Sequence, residues 1–198
     1  MKGIFTMSKI LPIVVGLFLL SLSAGCISQS ANQSFLRQDV DFGFIKTIGV
    51  LPFENNTADQ YVAERLRDMT MTDILSKRAF DVVEKGVVDT AMREESLSPG
   101  APLGETSLKR LGQRLDAEAF ILGVVDHSGE GRKGNFVYPE ISVTLRLVDA
   151  NSAKILWQAS GSKNGDSTLG RLFGTLPGDQ FQVSTALLRE LLSTLPSS

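Results

Sequence analysis

Cysteine and histidine each occur once in the 198 residues, as Cys26 and His127. A disulfide within the chain is therefore excluded, and no zinc site is expected, because zinc takes about four cysteine, histidine or carboxylate ligands. Catalytic triads need a histidine with a nucleophile and an orienting partner, and the sequence shows no such grouping around His127. We therefore predict no catalytic residue, no metal and no cofactor, and do not expect an enzyme.

An excess of positive charge is also missing. Lysine and arginine total 20 against 22 aspartates and glutamates, which gives a net charge of −2. Nucleic-acid backbones are bound by clustered basic residues, so no nucleic-acid partner is expected. The stretch 129–134, GEGRKG, lacks the spacing of a phosphate-binding loop and is predicted to be a hairpin loop. No small-molecule substrate is expected.

A run of about 20 apolar residues, which a membrane-spanning helix needs, is absent from the amino terminus. The apolar run there, residues 10–22, has 13 residues and follows Lys2 and Lys9. Small residues, SAG at 23–25, separate it from Cys26. This order is typical of a secretory signal peptide, which we predict for residues 1–25.

The residues LSAGC at 22–26 resemble the lipobox cut by the lipoprotein signal peptidase. In the usual pattern leucine stands three positions before the cysteine, whereas here Ser23 holds that position and Leu22 lies one further back. The resemblance implies that Cys26 becomes the first mature residue and carries acyl chains, two or more of which anchor a protein stably. The alternatives are an ordinary signal peptide with a chance cysteine and an uncleaved anchor.

The residues after Cys26 suggest where the anchored protein lies. Ile27 occupies the position where aspartate retains enterobacterial lipoproteins at the inner membrane, so the outer membrane, facing the periplasm, is expected. The following stretch is rich in serine, glutamine and asparagine and has no helical or strand period. We predict that residues 26–41 are the acylated cysteine and a flexible tether.

The remaining residues, 42–198, are predicted to form a single domain, because no repeat or second composition block is present. Apolar runs predict buried strands, and the alternation over 141–147 predicts a half-buried strand followed by a hairpin return. Amphipathic spacing predicts four helices, with Arg67 on the polar side of the first. The order strand, helix, strand, two helices, three strands, helix indicates an α/β fold with a mixed central sheet and helices packed on it.

Five pieces of this domain resemble, in order and spacing, a group that includes the TolB amino-terminal domain, the curli-secretion lipoprotein and the lipoprotein activator of a peptidoglycan synthase. The pieces are IGVLPF at 48–53, FDVVEK at 80–85, LDAEAFILG at 115–123, VTLRLVD at 143–149 and KILW at 154–157. The resemblance implies a TolB amino-terminal-like fold. It also implies a non-enzymatic accessory role in envelope assembly or secretion, through another envelope protein or through self-association.

The same resemblance leaves two alternatives open: a subunit of an oligomeric curli-type secretion complex and an activator of a peptidoglycan synthase. The curli-secretion lipoprotein forms its pore with two long hairpins, and a membrane-spanning hairpin needs about 20 alternating residues. The corresponding stretches here, 127–140 and 161–178, are shorter and are interrupted by charges or glycines. We therefore do not expect this chain to form a pore by itself.

The first of these stretches contains the candidate site. Arg132, Phe136 and Tyr138 lie close together in the sequence, and aromatic residues beside an arginine are typical anchors of protein interfaces. We predict that these three residues bind a partner. His127, at the expected end of the preceding strand, is predicted to be solvated.

Overall fold

The computed structural model describes residues 32–166 and 178–196. Cys26 and the predicted signal peptide lie outside these residues. The strands within them are β1 Gln33–Leu36, β2 Thr47–Val50, β3 Glu54–Asn55, β4 Asp81–Val82, β5 Ala119–Lys133, β6 Phe136–Asp149 and β7 Ile155–Asn164. The helices are α1 Val62–Lys77, α2 Lys85–Glu94, α3 Glu105–Leu115 and α4 Gln180–Leu192, with a 3-10 turn at Phe42–Phe44.

The strands form one mixed sheet in the order β1-β7-β6-β5-β2-β4, and β3 pairs with β5. Strand β2 is parallel to both β4 and β5, because helices carry the chain between these strands. The pairs β5–β6, β6–β7 and β7–β1 are antiparallel, whereas β5 is parallel to β2 and β3. The predicted α/β fold with a mixed sheet and packed helices is confirmed.

Helices cover the two faces of this sheet unequally. On one face, α1 and α4 bury a large core, in which Trp157 and Leu187 are fully inaccessible to solvent. On the other face, α2 and α3 bury a smaller cluster around Leu111 and Phe120, at the parallel end of the sheet. Each large apolar side chain buried in this way contributes about 1.5–3 kcal/mol to folding.

Two segments differ from the sequence-based expectations. The predicted tether does not extend through Gln33–Leu36, which instead pair with β7. This strand shows no alternation because it lies at the sheet edge and all four of its side chains are exposed. The predicted hairpin loop at 129–134 is also mostly strand, because β5 continues to Lys133 and only Gly134 and Asn135 form the turn.

Candidate functional site

The two faces of β6 meet different surroundings. Ile141, Val143, Leu145 and Leu147 are buried against α1 and α4. Since successive side chains of a strand point to opposite faces, the residues between them belong to the other face. Beyond the cluster around Phe120, no helix of the described residues contributes to a buried cluster on that other face.

We call this uncovered surface the open face. Its side chains are half-buried or exposed, and most are polar without charge. By strand register they include Gln33 and Phe35 of β1, Leu122, Val124 and His127 of β5, Tyr138, Glu140, Ser142, Thr144 and Arg146 of β6, and Gln158, Ser160 and Ser162 of β7. An antiparallel sheet often leaves one face to solvent, so the open face does not contradict the fold.

Arg146 lies on the open face, between Leu122 on β5 and Gln158 on β7. It makes no ion pair with any described residue, and its Nε atom is buried without a hydrogen-bond partner. The side chain lines a cleft of about 330 Å³, whose walls include Met92 and Leu103. A guanidinium carries five N–H donors and binds carboxylates in a bidentate manner, so Arg146 is equipped to accept an acidic group from another molecule.

Hydroxyl groups form hydrogen bonds with one another in the rung of the open face next to Arg146. Thr144 Oγ1 lies 3.2 Å from Asp126 Oδ2 and 3.0 Å from Ser160 Oγ. Because a hydroxyl has a single hydrogen, Thr144 donates to the carboxylate and accepts from Ser160. Asp126 is the extra residue of a β-bulge in β5, which turns its side chain towards this row. Asp126, which lies beside the rung next to Arg146, is thus already hydrogen-bonded by a hydroxyl.

The hairpin end of the sheet contains the three residues predicted to bind a partner. Tyr138 pairs with Gly131, and a Cβ atom at Gly131 would lie 2.4 Å from the Tyr138 ring, so the ring lies directly over this glycine. Phe136 pairs with Lys133 and shares the face of Tyr138. Arg132 pairs with Val137 and belongs to the opposite face. The structure therefore brings the two aromatic residues together and separates Arg132 from them.

His127 is exposed, but it lies within β5 beside the bulge and not at a strand end. Its Nε2 atom is 3.8 Å from Glu140 Oε2. In the described residues no three histidine, cysteine or acidic side chains are grouped so as to hold a metal ion. None of the helices in those residues is both long and apolar enough to span a bilayer.

Arg67, predicted on the polar side of α1, is 1% exposed. Its Nε and Nη2 atoms donate to the Val50 carbonyl at 3.0 and 2.8 Å, and Nη2 also lies 2.8 Å from Asp89 Oδ1. The contact with Asp89 is an ion pair that lacks the alignment of a hydrogen bond. A cleft of about 590 Å³ opens beside Arg67, between α1 and α2. Because its donors are engaged within the protein, we assign Arg67 to folding and not to ligand binding.

A signal for this burial was present in the helix. Arg67 follows Ala63 by four residues and precedes Thr70 and Ile74 by three and seven, and all three are buried. This spacing places Arg67 in the buried row of α1.

The titratable groups with shifted pKa values lie at the starts of α1 and α2, away from the open face. A hydrogen bond from Arg65 lowers the pKa of Asp59, and the backbone N–H groups of Gly86 and Val87 lower the pKa of Glu84. Hydrogen bonds to Asp68 and Glu64 raise the pKa of Lys85. These shifts come from helix capping and surface ion pairs, and they indicate no acid–base chemistry.

No protein-family model matches the chain, and no curated protein matches it. Among solved structures, the PelC dodecamer from Paraburkholderia phytofirmans matches with a TM-score of 0.60 and 16% identity, over 86% of this chain and 99% of that one. Lipoprotein GNA1162 from Neisseria meningitidis matches with a TM-score of 0.55 and 19% identity, over 75% and 99%. The LpoB C-terminal domain from Escherichia coli matches at 0.44 and 14%, over 73% and 91%.

These likenesses concern the fold. Because one matching structure is itself a lipoprotein, the predicted resemblance to the envelope lipoprotein group is confirmed at the level of the fold. A shared fold does not fix a shared function, since function depends on the particular site.

Proposed function

We propose that this chain is a non-enzymatic lipoprotein of the outer membrane, anchored through Cys26 and facing the periplasm. It acts as an accessory in envelope assembly or secretion by binding another envelope protein or further copies of itself. The observation that supports this most directly is Arg146, a half-buried cation without an ionic partner in the described residues, on the part of the open face that borders α2.

An unpaired buried donor costs about 1–3 kcal/mol, which a carboxylate supplied by a partner would recover. Arginine is also enriched among the residues that dominate binding energy in protein interfaces. The half-buried Leu122 and Val124 lie beside Arg146 and supply apolar area. Arg146 thus offers a charged contact, and Leu122 and Val124 surround it with apolar side chains. This combination resembles the composition at the centre of a protein interface.

The test is retention of partner proteins by the acylated protein, extracted in detergent after cross-linking in living cells. For Arg146→Ala we expect retention to fall about tenfold, the effect of losing an interface anchor. Lys154→Ala is the matched control, because this exposed lysine lies on the turn between β6 and β7 and makes no ion pair with a described residue. Equal retention by both variants, with folding intact, would contradict a role for Arg146.

Anchoring is tested separately. Cys26→Ser removes the only thiol of the chain, so the variant should leave the membrane fraction, and the wild-type mature chain should carry the mass of its acyl groups. A processed Cys26→Ser protein that still sediments with membranes would refute the anchor.

Self-association is a second candidate form of the same function. The match to PelC, which its structure describes as a dodecamer, extends over 86% of this chain and favours it. Light scattering of the acylated protein in detergent should then give the mass of a ring of many copies. A monomer at micromolar concentration would contradict this form.

Of the three residues predicted to bind a partner, Arg132, Phe136 and Tyr138, we propose this role for Tyr138. Tyr138 is continuous with the open face and belongs with Arg146, whereas Arg132 and Phe136 lie near the hairpin turn. We expect Tyr138→Ala to weaken partner retention and Arg132→Ala to leave it unchanged, measured in the same assay.

A further inference from the structure

The last two rungs of the β5–β6 hairpin combine basic and apolar side chains on both faces. Lys133 pairs with Phe136, and Arg132 pairs with Val137. Successive rungs point to opposite faces, so each face carries one cation and one apolar side chain. Val137 is 38% exposed, and both cations are exposed. We call these four residues the hairpin tip.

This arrangement fits a lipid surface better than a protein. A protein partner normally docks on one face of a hairpin, whereas an end-on approach to a bilayer uses both faces at once. Apolar side chains then enter the boundary of the acyl chains, while lysine and arginine extend to the phosphates. Each cation near an anionic leaflet also adds to the attraction.

The acidic groups near the tip limit how deeply it enters. Asp166 Oδ2 lies 3.7 Å from Lys133 Nζ, and Glu130 is opposite Pro139, two rungs behind Arg132. Glu140 lies opposite Gly129, one rung further back. Carboxylates are costly in the hydrocarbon region, so the tip is suited to the interface and not to spanning the membrane.

The point where the chain leaves the sheet agrees with this orientation. Gln33 pairs with Ser160, which pairs with Thr144, and β1 read towards its amino end points along the sheet in the direction of the tip. From Thr144 to Phe136 is 8 residues of β6, or about 26 Å. From Cys26 to Gln33 is 7 residues, which span at most about 25 Å.

At full extension, residues 26–33 would therefore extend about as far from this rung of the sheet as the hairpin does. From this match and the composition of the tip, we propose that the hairpin tip docks on the lipid surface that anchors Cys26. The inference rests on the proposed acylation of Cys26. The docked tip is a second membrane contact and orients the sheet, so that the open face stands roughly upright from the bilayer and is accessible from the side.

The test places a fluorescent reporter at each end of the hairpin strands. Phe136→Trp marks the tip, and Asn151→Trp marks the opposite turn between β6 and β7, about 40 Å away along the strands. The acylated full-length mature proteins are reconstituted in vesicles of phosphatidylethanolamine with a minority of phosphatidylglycerol, with and without brominated phosphatidylcholine as quencher. Trp157 is fully buried and gives the same background in both variants.

We expect bromolipid to quench the added fluorescence of the Phe136→Trp variant and to leave that of Asn151→Trp unchanged. Adding Arg132→Glu and Lys133→Glu to the Phe136→Trp variant should reduce the quenching while the protein still floats with the vesicles. Equal quenching of the two single variants overturns the proposal, as does a tip that remains unquenched and cross-links to a protein. Loss of flotation, or a mass without acyl chains, instead refutes the anchor on Cys26, and the two failures are distinguishable.

Discussion

The indole Nε1 of Trp157 donates a hydrogen bond of 3.0 Å to Oγ1 of Thr194, just beyond the end of α4. Trp157 is fully buried in the core beneath α1 and α4, so this bond joins the sheet to the last turn of the described chain. A buried indole N–H normally has a partner, and Thr194 supplies it.

We expect Thr194→Val to lower the free energy of unfolding by about 1 kcal/mol, the usual net value of one hydrogen bond with its donor left unpaired. Trp157→Phe removes the same bond and some core volume, so its loss should be larger, about 2 kcal/mol. In a double-mutant cycle by urea unfolding, the two losses should overlap by about 1 kcal/mol. Strict additivity would show that the bond contributes nothing.

Arg67 gives a second prediction, because it joins α1 to β2 and α2 from a position that is 1% exposed. Arg67→Ala leaves the buried Val50 carbonyl without these donors and removes a large packed side chain. We expect a loss of about 3 kcal/mol in the free energy of unfolding. Arg67→Lys should recover part of it, since one ammonium cannot reproduce the planar fork.

Arg65→Ala is the control for this position. Arg65 lies two residues away in α1 and pairs with Asp59 at 2.5 Å, but its side chain is 51% exposed. Exposed ion pairs contribute under about 1 kcal/mol, so this variant should unfold at nearly the wild-type urea concentration. Similar losses for both arginines would refute the structural role of Arg67.

Gly123 and Phe53 form a third testable contact. A Cβ atom on Gly123 would lie 2.6 Å from the Phe53 ring, so the ring occupies the space above this glycine. Gly123→Ala should therefore force the ring aside and destabilise the protein by about 1–3 kcal/mol in urea unfolding. Gly129→Ala lies on the same strand with its nearest neighbour, the His127 ring, at 3.4 Å, and we expect almost no effect.

Regular patterns made much of the fold predictable from the sequence. The leucines at 108, 111 and 115 predicted α3, and the alternation over 141–147 predicted the half-buried part of β6. Both signals exist because each element buries one face and exposes the other. The order of elements then led to the mixed sheet.

The features that were missed follow no such pattern. Strand β1 lies at the sheet edge with every side chain exposed, so burial imposes no alternation on it. Beyond Val125, β5 passes through a bulge and two glycines, which resemble loop residues although the backbone stays paired as far as Lys133. In the sequence, Arg146 is one of the polar residues that alternate with the buried residues of β6. Only the arrangement of the helices shows that no helix covers the face on which it lies.

The fourth prediction concerns acid stability and depends on Glu84. Its Oε2 atom accepts a hydrogen bond of 3.0 Å from the Val87 backbone at the start of α2. Together with the N–H of Gly86, this lowers the pKa of Glu84 below its usual value of 4.5. A carboxyl group with a lowered folded-state pKa stabilises the protein above its unfolded-state value, and that contribution is lost as the pH falls through the folded-state value.

The unfolding midpoint in urea should therefore decline as the pH falls below about 4.5. Glu84→Gln removes the titrating group, so we expect a lower midpoint at neutral pH and a shallower decline in acid. The raised pKa of Lys85 affects stability in alkaline and not in acid solution. The stabilisation that Lys85 provides is present below pH 10.5, its usual pKa, and is lost only as the pH rises beyond that value. Glu105→Gln, in the first turn of α3, serves as the matched control and should retain the wild-type slope. An acid slope for Glu84→Gln as steep as that of the control would show that the cap does not respond to protonation.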